Sequence, residues 1–286
     1  MKKIAVITGT STGLGLEASV LFAKNNFKVY ATMRNLEKSQ ALKQRIEDEN
    51  LDIDILQLDV TSTLSVNSAI EEVIKRSGKI DLLINNAGAG FAKTTEQITE
   101  DEMEWITDLN YYGVVRGTKA VLPIMRKQNS GHIINISSVG GLVGQPFNEL
   151  YCAAKFAVEG YTESLASYVT KAFNINFTIV EPGGISSEFM KSAVAKTMID
   201  GKMPLDEYTP IFDSYVAGAR ERASNNVKDV YQTPEQVAEV ILNVAQQDHP
   251  PVRIRTSKWA EDFCILKTQA DPDGTILRDR INEDLL

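Results

Sequence analysis

The chain has 286 residues, a formal net charge of -8 at pH 7 and a pI near 5.0, which argues against nucleic acid or an anionic membrane as its main partner. Hydrophobic residues make up 43% and charged residues 24%, a balance typical of a folded protein with a sizeable core. The two cysteines, Cys152 and Cys264, exclude a disulfide framework, show no metal-ligand spacing and indicate a reducing, cytoplasmic location.

Short apolar runs alternate with amphipathic helical stretches over the first 180 residues. The runs are rich in β-branched residues and nearly continuous, as strands buried on both faces must be. They lie at 3–9, 28–33, 53–58, 80–85, 132–137 and 175–180. The helical patterns lie at 13–25, 36–49, 63–77, 99–128 and 151–172. Repeated strand–helix units have right-handed crossovers, so the pattern predicts an α/β fold with a doubly wound parallel sheet of about seven strands.

The later part of the chain is less regular. Residues 185–231 show no strand pattern and mix aromatic and methionine residues with polar ones. Residues 257–286 contain the turn sequence "DPDG" and are predicted to be irregular. Because no repeat or flexible linker divides the chain, we expect one domain over 1–286, with 185–231 as an insertion and 257–286 as a C-terminal extension.

Two further elements are predicted between those segments. "TPEQVAEVILNVAQ" (233–246) predicts a helix with Thr233 as N-cap and Pro234 at its first position. "VRIRT" (252–256) predicts the last strand of the sheet.

The segment "TGTSTGLG" (8–15) follows the first strand and opens the first helix. Glycines in such a turn let backbone N–H groups approach a phosphate, and the helix N-terminus favours negative charge. A glycine turn without a ligand is the alternative interpretation. Gly9, Gly13 and Gly15 are spaced G-x-x-x-G-x-G, which differs from the commoner dinucleotide fingerprint G-x-G-x-x-G.

That spacing, behind a leading Thr, resembles the short-chain dehydrogenase/reductase family. Further motifs extend the resemblance in order along the chain, mostly at predicted strand C-termini, where open α/β sheets bind ligands. They are "LDV" (58–60), "NNAG" (85–88), Asn110 in "LNYYG", "NISS" (135–138) and "EPGGISS" (181–187). The resemblance covers about residues 3–187 and fades beyond them.

The resemblance implies a Rossmann-like sheet in the order 3-2-1-4-5-6-7 with helices on both faces, and an oxidoreductase that uses a nicotinamide dinucleotide. Asp59 would contact the adenine. The positions implied to bind the cofactor are Gly9, Thr10, Ser11, Thr12, Gly13, Leu14, Gly15, Arg34, Asp59, Val60, Asn86, Ala87, Gly88, Tyr151, Lys155, Pro182, Gly183, Ile185 and Ser187.

The end of the second strand bears on the choice between NAD and NADP. An acidic residue there hydrogen-bonds the ribose hydroxyls, whereas an Arg accommodates the 2′-phosphate. This chain has Met33 at the acidic position and Arg34 next to it, with no carboxylate before Glu37. Because a guanidinium can bind a phosphate with two parallel hydrogen bonds, the sequence favours NADP(H), while NAD(H) stays possible. An Arg34 that only contacts solvent is the alternative.

The stretch "YCAAK" (151–155) places Lys155 one helical turn after Tyr151. Residues four apart on a helix share a face, with Cβ atoms roughly 5–6 Å apart. A neighbouring ammonium favours the phenolate and lowers a tyrosine pKa that is otherwise about 10, so the pair suits general acid–base work on a substrate oxygen. A helix-surface coincidence is the alternative for the pair taken alone.

Ser138 ends the fifth predicted strand, thirteen residues before Tyr151. By resemblance it is the Ser that polarises the substrate oxygen, which its hydroxyl can stabilise as charge develops. Ser137 is the other candidate, and similarity gives it the role of supporting the loop. Asn110 would, by resemblance, anchor a water that links Lys155 to solvent; a polar helix cap is the alternative. The implied catalytic set is Ser138, Tyr151, Lys155 and Asn110.

The insertion at 185–231 occupies the family's substrate-lid position, and its aromatic and Met content indicates an apolar pocket wall. We therefore expect a hydrophobic ketone, aldehyde or secondary alcohol, with a steroid- or retinol-like molecule possible. Packing of the lid onto the body is an equal explanation for those residues. A catalytically silent dinucleotide-binding regulator on the same fold is the alternative function.

Several partners are expected or excluded from the sequence. No run approaches the roughly 18 apolar residues of a membrane span, so we expect no span, and we expect no bound metal. By resemblance the protein forms a homodimer or homotetramer through the helices predicted at 99–128 and 151–172.

Overall fold

Seven parallel strands form the central sheet of the protein, whose computed structural model describes residues 2–198, 206–224 and 230–285. Their order is β3-β2-β1-β4-β5-β6-β9, which confirms the doubly wound sheet, with β9 as the predicted seventh strand. The strands are β1 (Lys3–Thr8), β2 (Phe27–Met33), β3 (Ile53–Gln57), β4 (Leu82–Asn85), β5 (Gly131–Ile136), β6 (Ile175–Glu181) and β9 (Arg253–Arg255). A separate two-stranded ladder pairs β7 (Gly184–Ile185) with β8 (Tyr231–Gln232).

Helices cover both faces of the sheet, as predicted. They are α1 (Gly13–Lys24), α2 (Gln40–Glu49), α3 (Thr63–Ser77), α4 (Glu100–Thr107), α5 (Gly113–Gln128), α6 (Glu149–Phe173), α7 (Glu188–Thr197), α8 (Thr209–Ser224), α9 (Pro234–Ala245), α10 (Lys258–Thr268) and α11 (Thr275–Leu285).

Each side of the sheet carries its own apolar core. In β1, Ala5 and Ile7 face the cluster under α1 and α9, while Ile4 and Val6 face the cluster under α3, α5 and α6. This alternation follows from the two-residue side-chain period of a strand. Because both faces are covered, the strands read as continuous apolar runs, and their carboxyl ends meet at one edge that carries the motifs.

Capping at α9 matches the sequence prediction. The Thr233 side chain accepts a hydrogen bond from the Gln236 N–H at 3.3 Å, and the Gln236 side chain accepts one from the Thr233 N–H at 2.8 Å. Pro234 occupies the first turn, where its missing N–H would have no partner in the helix.

The single helix predicted at 99–128 is interrupted in the structure. A π-helical turn, Asp108–Tyr112, separates α4 from α5 and contains Asn110. The side-chain amide of Asn110 donates a hydrogen bond to the Ile106 carbonyl at 2.9 Å. A side chain thus takes up a carbonyl of its own helix. Such π turns are rare and are often found at functional sites, and apolar periodicity does not reveal them.

The described residues of 185–231, the predicted lid segment, contain more regular structure than the sequence indicated. Within the described residues, α7 and α8 occupy its middle, and the β7–β8 ladder closes its base. The expectation that the segment contains no strand was therefore wrong at its first and last residues, which belong to β7 and β8. Strands of two residues are too short to show a pattern in the sequence. Met203 lies outside the described residues.

The irregular tail predicted at 257–286 was also wrong, because α10 and α11 lie there. Ser257 caps α10 by accepting a hydrogen bond from the Ala260 N–H at 3.2 Å. Ala260 and Cys264, four residues apart, are buried against Val139 and Leu142. Tertiary burial of this narrow stripe stabilises the helix.

None of the helices in the described part of the chain combines the length and apolarity needed to cross a bilayer.

Candidate active site

The carboxyl ends of β1 and β4 are held together by side-chain hydrogen bonds. The Thr8 hydroxyl accepts from the backbone N–H groups of Asn86 and Ala87, each at 3.0 Å. The Asn86 amide donates to the carbonyls of Thr8 at 2.8 Å and Gly9 at 3.1 Å. The "TGTSTGLG" and "NNAG" motifs therefore form one rigid unit at the open edge of the sheet.

Two glycines in the first motif are required by close backbone approach. Gly9 has φ +72°, and a Cβ there would lie 2.8 Å from the Ala87 Cα. A Cβ on Gly15 would lie 2.3 Å from the Gly9 carbonyl oxygen and 2.5 Å from the Asn86 amide nitrogen. Since both neighbours are held by the hydrogen bonds above, neither position accepts a side chain without displacing the loop.

The N-terminus of α1 has the features of a phosphate site. Thr12 is its N-cap, yet its side chain makes no capping hydrogen bond, so the first-turn N–H groups stay open to an anion. A Cβ placed on Gly13 would lie 3.4 Å from the Ser187 Cβ. The "EPGGISS" motif, which contains Ser187, therefore lies over the loop. Thr10 anchors the loop to β2 by donating its N–H and hydroxyl to the Thr32 carbonyl at 3.0 and 3.1 Å. These residues fit a dinucleotide pyrophosphate.

Arg34, Asp59 and Val60 lie at the ends of β2 and β3, beside the loop. Arg34 is exposed, and its guanidinium has no partner among the described residues, while Met33 is buried. The Asp59 carboxylate accepts from the Thr61 N–H at 3.0 Å and the Thr61 hydroxyl at 2.8 Å. Val60 is buried, and its carbonyl accepts from Arg116 at 3.1 Å.

Tyr151 lies in the first turn of α6, and Ser138 hydrogen-bonds its phenol. Burial raises the pKa of Tyr151 to about 12, and the Ser138 hydrogen bond opposes that rise. The lowered pKa expected from Lys155 is therefore not found, because loss of water around the phenolate outweighs the effect of its neighbours. At neutral pH this phenol is protonated.

Lys155 lies under Tyr151 with its side chain buried. Its Nζ is 5.7 Å from the centre of the Tyr151 ring and donates to the Ile136 carbonyl at 2.8 Å. Burial lowers the pKa of Lys155 to about 8, and the charge of Glu159 works in the opposite direction. The ammonium is consequently the protonated form at neutral pH and is lost in mildly alkaline solution.

Ser138 and Ser137 have different surroundings. The Ser138 hydroxyl accepts a hydrogen bond from the Gly140 N–H at 3.0 Å and caps the short turn Val139–Gly141. Ser137 is buried, and a Cβ on Gly141 would lie 2.5 Å from its hydroxyl oxygen. Only Ser138 reaches the Tyr151 phenol.

Asn110 is fully buried behind Lys155 and bridges two segments. Its amide donates to the Ala89 carbonyl at 2.9 Å, and its side-chain oxygen accepts from the Ala89 N–H at 3.3 Å. A Cβ placed on Gly88 would lie 2.8 Å from the Asn110 side-chain oxygen and 3.7 Å from the Lys155 Nζ, so both side chains lie close to Gly88. Asn110 sits inside the π turn, so it is no helix cap, and its link to a water stays a prediction.

The remaining candidate positions follow β6. The Pro182 carbonyl accepts from the Val139 N–H at 2.9 Å and so ties this loop to the turn that carries Ser138. Gly183 packs against the Trp259 ring of α10, and Ile185 packs onto the core under α1. The structure thus brings every sequence-predicted position, including Ser11 and Leu14 in the phosphate loop, to the same edge of the sheet.

Two residues near the site were missed from the sequence. The Phe189 ring of α7 lies 5.9 Å from the Tyr151 ring, edge to face, and is 38% exposed. Gly90 lies between them, because a Cβ there would be 3.2 Å from Phe189 and 3.7 Å from Tyr151. Their adjacency to "NNAG" and "EPGGISS" was the available signal, but only the fold shows that they meet.

Comparison with known proteins places these features in a family. The short chain dehydrogenase family matches residues 3–198. Retinol dehydrogenase 8 from Bos taurus is 37% identical over 96% of this chain and 87% of its own length. The 17-beta-hydroxysteroid dehydrogenase type 1 of Homo sapiens is 35% identical over 96% of this chain and 83% of its own length.

Solved structures of a short-chain dehydrogenase and of a ketoreductase have the same architecture. One from Streptomyces avermitilis is 27% identical, with a TM-score of 0.77 over 99% of this chain and 96% of its own. Actinorhodin polyketide ketoreductase with NADPH is 26% identical, with a TM-score of 0.74 over 85% of this chain and 90% of its own. The protein belongs to the short chain dehydrogenase family, whose members are oxidoreductases that act on small molecules with a nicotinamide dinucleotide.

Proposed function

We propose that the protein is an NADP(H)-dependent oxidoreductase that interconverts a hydrophobic carbonyl compound and its alcohol, with Tyr151 as general acid and base. The observation that carries the proposal is the meeting of Ser138, the Tyr151 phenol and the buried Lys155 ammonium at the open edge of the sheet. A silent regulator would not require these three groups to be assembled around one point.

The side chains divide the work in carbonyl reduction. Bound nicotinamide supplies the hydride. Ser138 hydrogen-bonds the substrate oxygen and stabilises the charge that develops on it. Tyr151, protonated at neutral pH, donates its proton to that oxygen. The Lys155 ammonium, 5.7 Å from the ring centre, stabilises the phenolate that this transfer leaves.

The preference for NADPH is supported by Arg34. Its exposed guanidinium follows β2, next to the phosphate loop that Thr10 ties to Thr32, and Met33 brings no competing carboxylate. The Gln57 amide holds the Arg34 backbone by donating to its carbonyl at 3.1 Å. A fixed backbone with a free side chain suits an exposed 2′-phosphate.

We expect Arg34→Ala to lower kcat/KM for NADPH by about 10- to 100-fold, because charge-assisted hydrogen bonds contribute about 1.5–3 kcal/mol. The value for NADH should change by less than about threefold, since NADH has no phosphate there. Initial rates with both cofactors measure this. Lys75→Ala, which removes an exposed cation at the far end of α3, is the control. Equal losses with NADPH and NADH contradict the assignment.

A hydrophobic substrate is supported by the wall beside Tyr151. Phe189 covers one side of the phenol, and Phe147 packs edge to face with Phe212 of α8 at 5.0 Å. The relatives named for retinol and 17-beta-hydroxysteroids match nearly the whole chain. We therefore propose a steroid- or retinol-like substrate class.

A panel of steroid, retinoid and short polar carbonyls, with NADPH consumption as the readout, tests the proposal. We expect turnover of large apolar members at rates well above those of polar ones. Cofactor binding without turnover of any carbonyl or alcohol in the panel favours the silent regulator. The homo-oligomer and the cytoplasmic location stay predictions.

A further inference from the structure

A ladder of polar side chains continues below the catalytic pair on α6. Tyr151, Lys155, Glu159 and Glu163 follow one another at four-residue spacing, so they share one helix face. Glu159, one turn beyond Lys155, is only 5% exposed, and the proposed reaction gives it no role. A buried carboxyl next to a catalytic ammonium calls for a physical reason, since burying a charge is costly unless it is compensated.

Glu159 also touches the turn that carries Ser138. A Cβ on Gly141 would lie 2.8 Å from a Glu159 carboxyl oxygen and 2.5 Å from the Ser137 hydroxyl. The turn Val139–Gly141 therefore rests on Glu159 and Ser137, and Ser138 caps that turn. Neither oxygen of Glu159 makes a well-formed hydrogen bond within the described chain, although Ser137 and the Glu181 carboxyl face it.

The charged groups around Glu159 do not balance if all are ionised. Four carboxyls, those of Glu159, Glu163, Glu181 and Glu261, face three cations, those of Lys155, Arg253 and Arg255. One bound proton makes this cluster neutral. Because the cluster is largely buried, the neutral state is strongly favoured over one with an excess negative charge.

The contacts indicate which carboxyl holds that proton. Arg253 pairs with Glu163, and Arg255 pairs with Glu261 at 2.9 Å; both of these carboxylates are partly exposed. Lys155 is one turn from Glu159. Glu181 is fully buried and lies 3.2 Å from Arg255 and 3.8 Å from Arg253, both of which have other partners. Glu181 is the carboxyl left without a cation of its own.

We propose that Glu159 is a positioning residue of the active site: Glu181 holds a proton in the carboxyl pair, and the charged Glu159 keeps Lys155 protonated and supports the turn that presents Ser138. The proposal rests on the proposed function, because Lys155 acts there through Tyr151. Burial raises the pKa of both carboxyls, and at Glu159 the Ser137 hydroxyl and the two arginines oppose that rise. At Glu181 the charge of Glu159 adds to burial and raises the pKa well above its usual range against the effect of Arg255, and Glu159 raises the pKa of Lys155 against the effect of burial.

The surroundings of Glu159 contain further ionisable and polar groups that face the carboxyl pair from each packed element. They are Lys155 and Glu163 on α6, Ser137 after β5, Glu181 on β6, Arg253 and Arg255 on β9, and Glu261 and Cys264 on α10. Lys155, with a pKa of about 8, changes its charge between neutral and mildly alkaline pH while Tyr151 stays protonated.

The test is the pH profile of kcat/KM for carbonyl reduction. The alkaline limb of this profile is the fall of kcat/KM at high pH, which follows the loss of the Lys155 proton. Glu159→Gln removes the negative charge that opposes this loss. We expect the limb to move to lower pH by about 0.5 to 1 unit. Glu159→Asp, which keeps the charge, should restore part of the shift. A folded Glu159→Gln enzyme with an unmoved limb overturns the proposal.

Two further variants separate this effect from general damage to the cluster. Glu163→Gln removes the partner of Arg253 one turn farther from Lys155, so we expect the alkaline limb of this variant to stay near the wild-type pH. Glu181→Gln keeps the negative charge of Glu159 beside Lys155. The alkaline limb of this variant should therefore stay at the wild-type pH or move to higher pH. A shift to lower pH in all three variants indicates a purely structural cluster and contradicts the proposal.

A measurement on the unaltered protein does not depend on the folding of any variant. We expect its infrared spectrum at neutral pH to contain the C=O stretch of a protonated carboxylic acid, which ordinary carboxyls with pKa values near 4 do not give. The absence of this band contradicts the shared proton. An inactive Tyr151→Phe variant together with an unmoved alkaline limb in Glu159→Gln contradicts this inference alone. An active Tyr151→Phe variant contradicts the proposed function itself.

Discussion

Replacing Tyr151 with Phe is expected to lower kcat/KM for carbonyl reduction at least about 100-fold, because it removes the proton donor and keeps the ring. The affinity for NADPH should change little, since the loop at Gly9–Gly15 is untouched. The Phe189 contact at 5.9 Å and the rest of α6 should also be kept, so the melting temperature should stay close to that of the wild type. Steady-state rates and NADPH binding are measured on the same preparation.

Tyr168→Phe is the matched control, because it removes a hydroxyl from an exposed tyrosine on the same helix. It should have wild-type kinetics. Activity of Tyr151→Phe within a few-fold of the wild type refutes the role given to the phenol, whatever the substrate.

Gly15→Ala is expected to weaken NADPH binding at least about 10-fold and to lower the melting temperature. The added Cβ would lie 2.3 Å from the Gly9 carbonyl oxygen, which is backbone and cannot rotate away. Displacing Gly9 breaks the Asn86 hydrogen bonds that join β1 to β4, so the loss reaches beyond the cofactor site. Overpacking of this kind typically costs about 1–3 kcal/mol. Fluorescence titration with NADPH and thermal unfolding measure the two effects.

Gly160→Ala provides the comparison within a helix. No atom lies within 4 Å of a Cβ built there, and the residue is exposed in the middle of α6. Since Ala is about 0.8–1.0 kcal/mol more favourable than Gly in a helix interior, this variant should be at least as stable as the wild type and bind NADPH equally well. Equal NADPH affinity in Gly15→Ala and the wild type contradicts the assignment of the loop.

The sheet and the edge of the site were predictable because their patterns are local. Strands buried on both faces give unbroken apolar runs such as "KIAVITG", and helix starts carry visible caps such as Thr233. Motif glycines and polar residues follow those strands directly, so their convergence follows from the parallel order alone. The position of Tyr151 over Lys155 likewise follows from helical spacing.

Features that depend on tertiary contacts were not predictable. The π turn at Asn110 depends on a side chain that bonds both its own helix and the Ala89 loop. Helix α10 depends on burial of Ala260 and Cys264 under the turn after β5. The raised pKa of Tyr151 arises from desolvation, and the charge balance around Glu159 depends on side chains of β6 and of β9, the second of which is far from α6 in sequence.

Transfer of deuteride from NADPH that carries two deuterium atoms at nicotinamide C4 to the most reactive apolar carbonyl of the panel tests the central proposal most directly. Mass spectrometry and NMR of the alcohol should show one deuterium, bound to the carbinol carbon, with the wild-type protein, and no labelled alcohol above background with Tyr151→Phe. Hydride transfer is contradicted if the alcohol is unlabelled or if its label comes only from deuterated solvent. The role of Tyr151 as proton donor is contradicted if Tyr151→Phe labels the alcohol as well as the wild type does.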